Sequence, residues 1–290
     1  MSSNEKFRVV KNGEVLVDYG PVTIVIKAKI KNEPYTEAAI TGANAAIDLL
    51  NQLIPSLDEA RKFISCISNS SKAAQPAVLR TMMDSVAMLH EKDFTPMAAV
   101  AGTFSDFVKY RILECGADYV VVNNGGDISF QLPPLSDEFR AGIISDLSLG
   151  KVTHAVKIID RGIKGIATSG FGGRSLTKGI ASAVTVLAST GSLADAAATS
   201  IANATNCEDA SIERCLAEEI DYFTDIKGAI VTKSIGNLKG EKIETAVKSG
   251  LIRASELYNQ EVIKGCVIFL KNYMALWPES PSSFTITELC

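Results

Sequence analysis

The chain has 290 residues, 47% of them hydrophobic, with a formal net charge of -4. That suffices for one large domain or two small ones, and a mildly acidic chain without a Lys/Arg cluster argues against nucleic acid as partner. Mean hydropathy is +0.17, yet no apolar run approaches the ~18 residues of a membrane span, so no membrane partner is expected.

The polar start, residues 1–6, leads straight into strand-like sequence without a signal-peptide pattern, which predicts a cytoplasmic protein. Residues 7–10 and 15–17 read as strands around an Asn12-Gly13 hairpin turn. Residues 22–30 read as a longer strand with Val22, Ile24, Ile26, Ala28 and Ile30 on one face. Thr36 reads as the N-cap of an Ala-rich helix that runs to Leu53 and stops at Pro55. Residues 57–67 read as a second helix, 68–72 as a polar loop and 76–90 as a third helix. Its Met82, Met83 and Met88 suit core filling or an adaptable binding face.

The stretch 95–127 organises the chain. Small residues open it, a helical apolar pattern runs to Gly116, and a β-rich run at 119–122 stops at Asn123-Asn124-Gly125-Gly126-Asp127. Such an ending presents backbone amides and a carboxylate, which suits a nucleotide and equally suits a turn. Beyond it, 128–132 reads as a strand and 135–151 as a loop. Strands follow at 155–159, 164–167 and 182–188, and a helix at 192–204. The last third reads as helix at 213–220, strand at 228–231, a helical pair at 239–258 broken near Gly250, and strand at 262–270. The whole predicts a single α+β domain of mixed and antiparallel sheets packed with helices, in two intimately packed halves.

Six cysteines are scattered without C-x-x-C spacing, and neither His90 nor His154 lies near them in sequence. Zinc and iron–sulfur sites are therefore not expected, and the cysteines are read as reduced core residues. Two features carry more. Residues 168–175, Thr-Ser-Gly-Phe-Gly-Gly-Arg-Ser, read as a glycine-rich loop after a strand. Its amides can form an anion nest and Arg174 can clamp a phosphate, or it is a plain turn. Neither the Walker nor the dinucleotide fingerprint is present. Asp195 and Thr199 lie four apart on one helical face. A carboxylate with a hydroxyl suits Mg²⁺. Equally, Ser192 can be the N-cap, with Asp195 favoured at the positive helix end.

These features occur in the order found in the ApbE-like superfamily, which the chain resembles over residues 95–205. The Ala101-Gly102-Thr103-Phe104-Ser105-Asp106 segment resembles the family's Lys-Gly-Tyr-Ala-Val-Asp helix, and Gly125-Gly126-Asp127 matches its Gly-Gly-Asp. Thr168-Ser169-Gly170 matches its Thr-Ser-Gly loop, and Ala194-Asp195-Ala196 with Thr199 its Ala-Asp-Ala helix. Ala101 stands where the family has Lys and Thr103 where it has an aromatic ring, and the family's His-Ile-Ile-Asp-Pro segment is missing.

The resemblance implies an ApbE-like fold and a Mg²⁺-dependent flavin-nucleotide enzyme. It would move FMN from FAD to a Ser or Thr hydroxyl of an acceptor protein, or act as an FAD pyrophosphatase. Asp195 and Thr199 would bind Mg²⁺. Gly102, Asp106, Asn124, Gly125, Gly126, Asp127, Thr168, Ser169, Gly170 and Arg174 would contact the nucleotide or flavin; no catalytic residue is assigned. The alternative is an accessory protein of a redox system that binds a flavin, a nucleotide or a phosphorylated cofactor without chemistry. Homo-oligomerisation is left open.

Overall fold

In the computed structural model, the alternation at 22–30 becomes a strand with Val22, Ile24, Ile26 and Ala28 buried on one face. The structure describes residues 6–134, 136 and 138–289. The first five residues, Cys290, and two positions of the predicted loop 135–151 (Leu135 and Asp137) lie outside them. The chain divides into two units. The first comprises Met1–Asp137, Lys164–Ile166 and Thr190–Ala194; the second comprises Glu138–Ile163, Ala167–Ser189 and Asp195–Cys290.

The first unit holds strands β1 (Phe7–Lys11), β2 (Glu14–Tyr19), β3 (Val22–Ile30) and β4 (Glu33–Pro34). Helices α1 (Thr36–Leu53), α2 (Leu57–Ala60), α3 (Asn69–Ala73), α4 (Ala77–Ala87) and α5 (Val100–Glu114) follow, then β5 (Tyr119–Asn124) and β6 (Asp127–Gln131). The strands run antiparallel in the order β1-β2-β3-β5-β6, with β4 on β3. β6 also pairs through Ile128 and Ser129 with Ile166 and Gly165, the first residues of β9 (Gly165–Ser169). α1 and α5 pack on the sheet and on each other. Gly42 of α1 permits that approach, since a Cβ there would lie 2.6 Å from Ile112 Cδ1.

In the second unit, β7 (Phe139–Ile144) and β8 (Val152–Ile158) form a three-stranded antiparallel sheet with β15 (Phe284–Glu288), in the order β15-β8-β7. β10 (Ala183–Ala188) pairs with β13 (Gly265–Leu270), and β13 with β14 (Tyr273–Trp277). β10 and β13 are buried at every residue. Helix α6 (Gly191–Ala204), which belongs to this unit from Asp195 onward, is followed by β11 (Ile212–Leu216), α7 (Ala217–Ile220), β12 (Ile230–Ile235) and α8 (Gly240–Asn259). Ile243, Ala246 and Val247 of α8 share a core with Ile180, Ile212 and Leu270.

Several expectations give way to longer-range bonds. Thr36 is the first residue of α1 rather than its cap, and its hydroxyl accepts the Gly13 N–H at 2.9 Å. The helix expected over 57–67 ends at Ala60, and Ile64 donates to Phe94 O at 2.7 Å. The expected loop at 68–72 is mostly α3, capped by Ser68, whose hydroxyl accepts the Ser71 N–H at 3.1 Å. The expected loop after Pro134 contains β7. The helix expected at 213–220 is strand β11 followed by the single turn α7. α8 runs unbroken through Gly250, where a Cβ would lie 2.2 Å from Thr205 Oγ1, so that glycine serves close packing rather than a break. Met82 and Met83 are core residues, whereas Met88 is exposed. Five cysteines are free thiols; Cys207 and Cys266 are buried, but Cys66 is exposed, so the core expectation holds for only some of them. Burial pushes the Cys266 thiol up to about 12.

Candidate functional site

α5 is unusual in burying polar residues: Thr103, Ser105, Asp106 and Lys109 all face inward. Each such group needs a partner, and most of the partners belong to segments that the sequence singled out. The Ser105 hydroxyl donates to Asp127 O at 2.8 Å, and Asn124 Nδ2 donates to Ala101 O at 3.3 Å. These two bonds fasten the β5–β6 hairpin to the start of α5. Gly125 and Gly126 form its two-residue turn with φ of 68° and 115°, and both are exposed. Two successive positive φ angles are what such a turn demands of its central residues. Asn123 Oδ1 accepts the Gly126 N–H at 2.8 Å. Asn124 and Asp127 are cross-strand partners, so the expected strand tip is a hairpin tip.

Asp106 is buried and four groups converge on it. Its Oδ1 accepts from Ser129 Oγ at 2.5 Å and Gly191 N at 3.0 Å, with Lys109 Nζ at 3.3 Å. Its Oδ2 accepts from Ser192 N at 2.9 Å. Asp106 therefore supplies the negative charge at the first turn of α6, across 86 residues of chain. The expected Ser192 cap is corrected: Thr190 precedes the helix and its Oγ1 accepts the Leu193 N–H at 3.2 Å, while Ser192 lies within the first turn. The seat is close-packed. A Cβ on Gly191 would lie 2.8 Å from Gly102 O, and one on Gly165 2.1 Å from Thr190 O. The anion site at this helix start is thus filled by an internal carboxylate. Burial pulls the Lys109 pKa below its ordinary value, although the neighbouring Asp106 opposes the shift. The Thr103 hydroxyl is buried without a hydrogen-bond partner.

In the second unit, Thr168 and Ser169 are the last residues of β9, so the expected loop 168–175 begins only at Gly170. Thr168 Oγ1 lies 2.8 Å from Thr185 Oγ1. Phe171 N donates to Ala181 O at 2.7 Å and Gly173 N to Gly170 O at 3.3 Å, which removes two amides from any anion nest. Gly172, at φ 86°, passes close to Ser148, and Arg174 is exposed.

Along α6 beyond its first turn, Ala196, Ala197, Ala198, Ser200, Ile201 and Ala202 are buried. Asp195, Thr199 and Asn203 are half-buried, at the i, i+4, i+8 spacing of one helical stripe. Asn203 Oδ1 accepts from Thr177 Oγ1 at 3.1 Å and Lys178 N at 2.9 Å. Among the described residues no three His, Cys, Asp or Glu side chains gather as a metal site. A cation here would rest on one carboxylate and one hydroxyl, completed by water and substrate oxygens. This hard, sparse donor set fits Mg²⁺ and does not fit zinc.

The sequence reading missed Ser105, Ser129, Lys109, Thr190 and Gly191. The one local signal was Lys109, three residues after Asp106 on the same helix. The other partners are set by tertiary packing. Among the described residues no helix is long and apolar enough to cross a membrane.

A family model described as AbpE bacteria matches residues 7–276. The UPF0280 protein of Methanococcus vannielii is 38% identical over 161 residues, covering 53% of this chain and 63% of that protein. The UPF0280 protein of Methanothrix thermoacetophila is 36% identical over 144 residues, covering 49% and 57%. The matched segment thus spans less than two thirds of these relatives. Among solved structures, the apo form of the Pseudomonas stutzeri flavinyl transferase ApbE is 13% identical with a TM-score of 0.46, covering 92% of this chain and 90% of that chain. The Vibrio cholerae flavin transferase ApbE is 12% identical with a TM-score of 0.48, covering 95% and 96%.

Proposed function

This chain belongs to the AbpE bacteria family, and from that premise we propose that it is a Mg²⁺-dependent enzyme acting on a flavin nucleotide. The observation that carries the reading is the α6 stripe: a helix whose residues 196–198 and 200–202 are buried keeps a carboxylate and a hydroxyl, Asp195 and Thr199, half-exposed at i and i+4. Bound there, Mg²⁺ would supply Lewis-acid polarisation of the FAD pyrophosphate. Gly125, Gly126 and Asp127, with Asn124 beneath them, would receive the nucleotide. Thr168, Ser169, Gly170 and Arg174 would contact phosphate oxygens. Gly102 and Asp106 would support the site from within α5 rather than touch the ligand, because the Asp106 carboxylate is already saturated.

In the reaction, an acceptor oxygen bonds to the flavin-side phosphorus and the P–O bond to the AMP side breaks. AMP leaves with the bridging oxygen, and the acceptor gives up its proton. A Ser or Thr hydroxyl as acceptor yields a flavinylated protein; water yields FMN and AMP. The reading includes a cytoplasmic site of action and, in the first case, an acceptor protein as partner.

A second reading, binding without chemistry, is favoured by one observation. Ala101 and Thr103 bring a methyl group and a buried, unpaired hydroxyl where a cation and an aromatic ring would serve a flavin phosphate and ring.

The test is equilibrium binding of FAD, FMN and AMP with and without Mg²⁺, on wild type and Asp195→Ala. Mg²⁺-dependent FAD binding lost in the variant, with release of FMN and AMP on incubation, is the expected result. Tight binding without turnover would select the second reading. No flavin binding in any condition would sink the enzyme reading and the flavin form of the second, and leave AMP binding to test its nucleotide form.

A further inference from the structure

The ribbon of β11 and β12 carries the most exposed aromatic side chains of the described residues. Between its strands run α7 and residues 221–229. Tyr222 and Phe223 are 70% and 74% exposed and touch edge to face at 5.3 Å between ring centroids. Leu216 and Ile230, paired directly across the two strands, are also exposed, as is Ile220 at the end of α7. Scattered exposed apolar residues mean little, but five at one ribbon end form a patch whose burial folding does not provide.

The charge around the patch is one-sided. Residues 213–230 carry five carboxylates against two cations in a chain whose net charge is only -4. Both cations are engaged locally. Arg214 donates to Lys178 O at 2.9 Å and to Asn206 Oδ1 at 2.7 Å, while Lys227 Nζ lies 4.5 Å above the Tyr222 ring. Backbone amides fix three of the carboxylates. Glu218 accepts from Gly228 N, Glu219 from Leu216 N and Asp221 from Phe223 N. Those bonds leave each carboxylate with its charge and further lone pairs.

We propose that this ribbon tip is a docking surface for a basic protein segment, one that sets Lys or Arg beside apolar side chains. Apolar side chains of that segment would cover Leu216, Ile220, Phe223 and Ile230. Its cations would meet Glu218, Glu219 and Asp221, and would lie on the aromatic faces as Lys227 already does on Tyr222. A second copy facing the same patch would set carboxylates against carboxylates, and anionic lipid or nucleic acid would be repelled.

The probe is a short labelled peptide of Leu and Lys in amphipathic order, with a Glu-for-Lys counterpart, measured by fluorescence anisotropy across a salt series. The Lys peptide should bind with affinity that falls as salt rises, and the Glu peptide should not bind. Replacing both rings, Tyr222→Ser with Phe223→Ser, should weaken binding about tenfold, with the thermal midpoint unmoved because both side chains are exposed. Glu218→Gln, Glu219→Gln and Asp221→Asn together keep the backbone-capping oxygens and should flatten the salt dependence. Binding that neither variant alters, or equal binding of the Glu peptide, would overturn the proposal. So would self-association in sedimentation velocity that the ring-less variant abolishes, which would assign the patch to a second copy.

Discussion

Asp106 and Asp195 are both helix carboxylates within resemblance motifs, yet their surroundings part them. Asp106 is buried and meets a lysine, a serine and two backbone amides. Asp195 is half-buried on the polar stripe of a helix whose residues 196–198 and 200–202 are buried. A buried carboxylate enclosed by four partners holds structure. A half-exposed one beside a hydroxyl is where the proposed Mg²⁺ site would lie.

Four substitutions would break or sharpen that contrast, and they are ordered by expected loss of stability. Asp106→Ala strands the Lys109 charge and two helix amides, and should lower the unfolding free energy by about 3–5 kcal/mol in a denaturant titration. A loss near that of an ordinary surface change would show that the cluster is not structural. Gly191→Ala forces a methyl group toward Gly102 O and should lose about 1–3 kcal/mol in the same titration.

Lys109→Met should change stability by less than about 1.5 kcal/mol, since Asp106 keeps three other donors and a buried charge is relieved. Its pH dependence has a definite sign. Burial holds the folded pKa of Lys109 below 10.5. Between that lowered value and 10.5 the unfolded chain binds more protons, so wild-type stability rises with pH across the window. The burden of the buried ammonium is full below the window. Any advantage of Lys109→Met over wild type should therefore shrink as pH climbs toward 10.5. A difference that stays flat would remove the charge from the account.

Asp195→Ala should be smallest in stability, within about 1 kcal/mol because the side chain is only half-buried, while abolishing Mg²⁺-dependent FAD binding in calorimetry. Large destabilisation there, with binding intact, would erase the contrast.

What could be read beforehand follows from the range of the forces. The alternation of β3 and the Asn12-Gly13 turn are local in origin, and both are found; the helix expected over 76–90 is found as Ala77–Ala87, with Pro76 as its cap rather than in its first turn. Residues 213–220 read as helix because Glu213, Arg214, Leu216 and the following Ala-Glu-Glu suit one. Pairing of Ile212 and Leu216 with Ile235 and Ile230 overrides that preference. β7 was missed because Gly142 interrupts its pattern, and the gap is filled by Val152, whose Cγ1 would lie 2.7 Å from a Cβ there. At the candidate site the motif residues stood out by type and order. Their inner partners did not, because Ser129, Gly191 and Ser192 reach Asp106 only through the tertiary fold.

The capping of α6 by Asp106 also bears on motion. Helices usually fray at their first turn, because those amides lack intrahelical acceptors and trade protons readily with water. Here the Gly191 and Ser192 amides are held by one buried carboxylate. Their protection against deuterium should match that of a helix interior, so that α6 opens only when the Asp106 cluster comes apart.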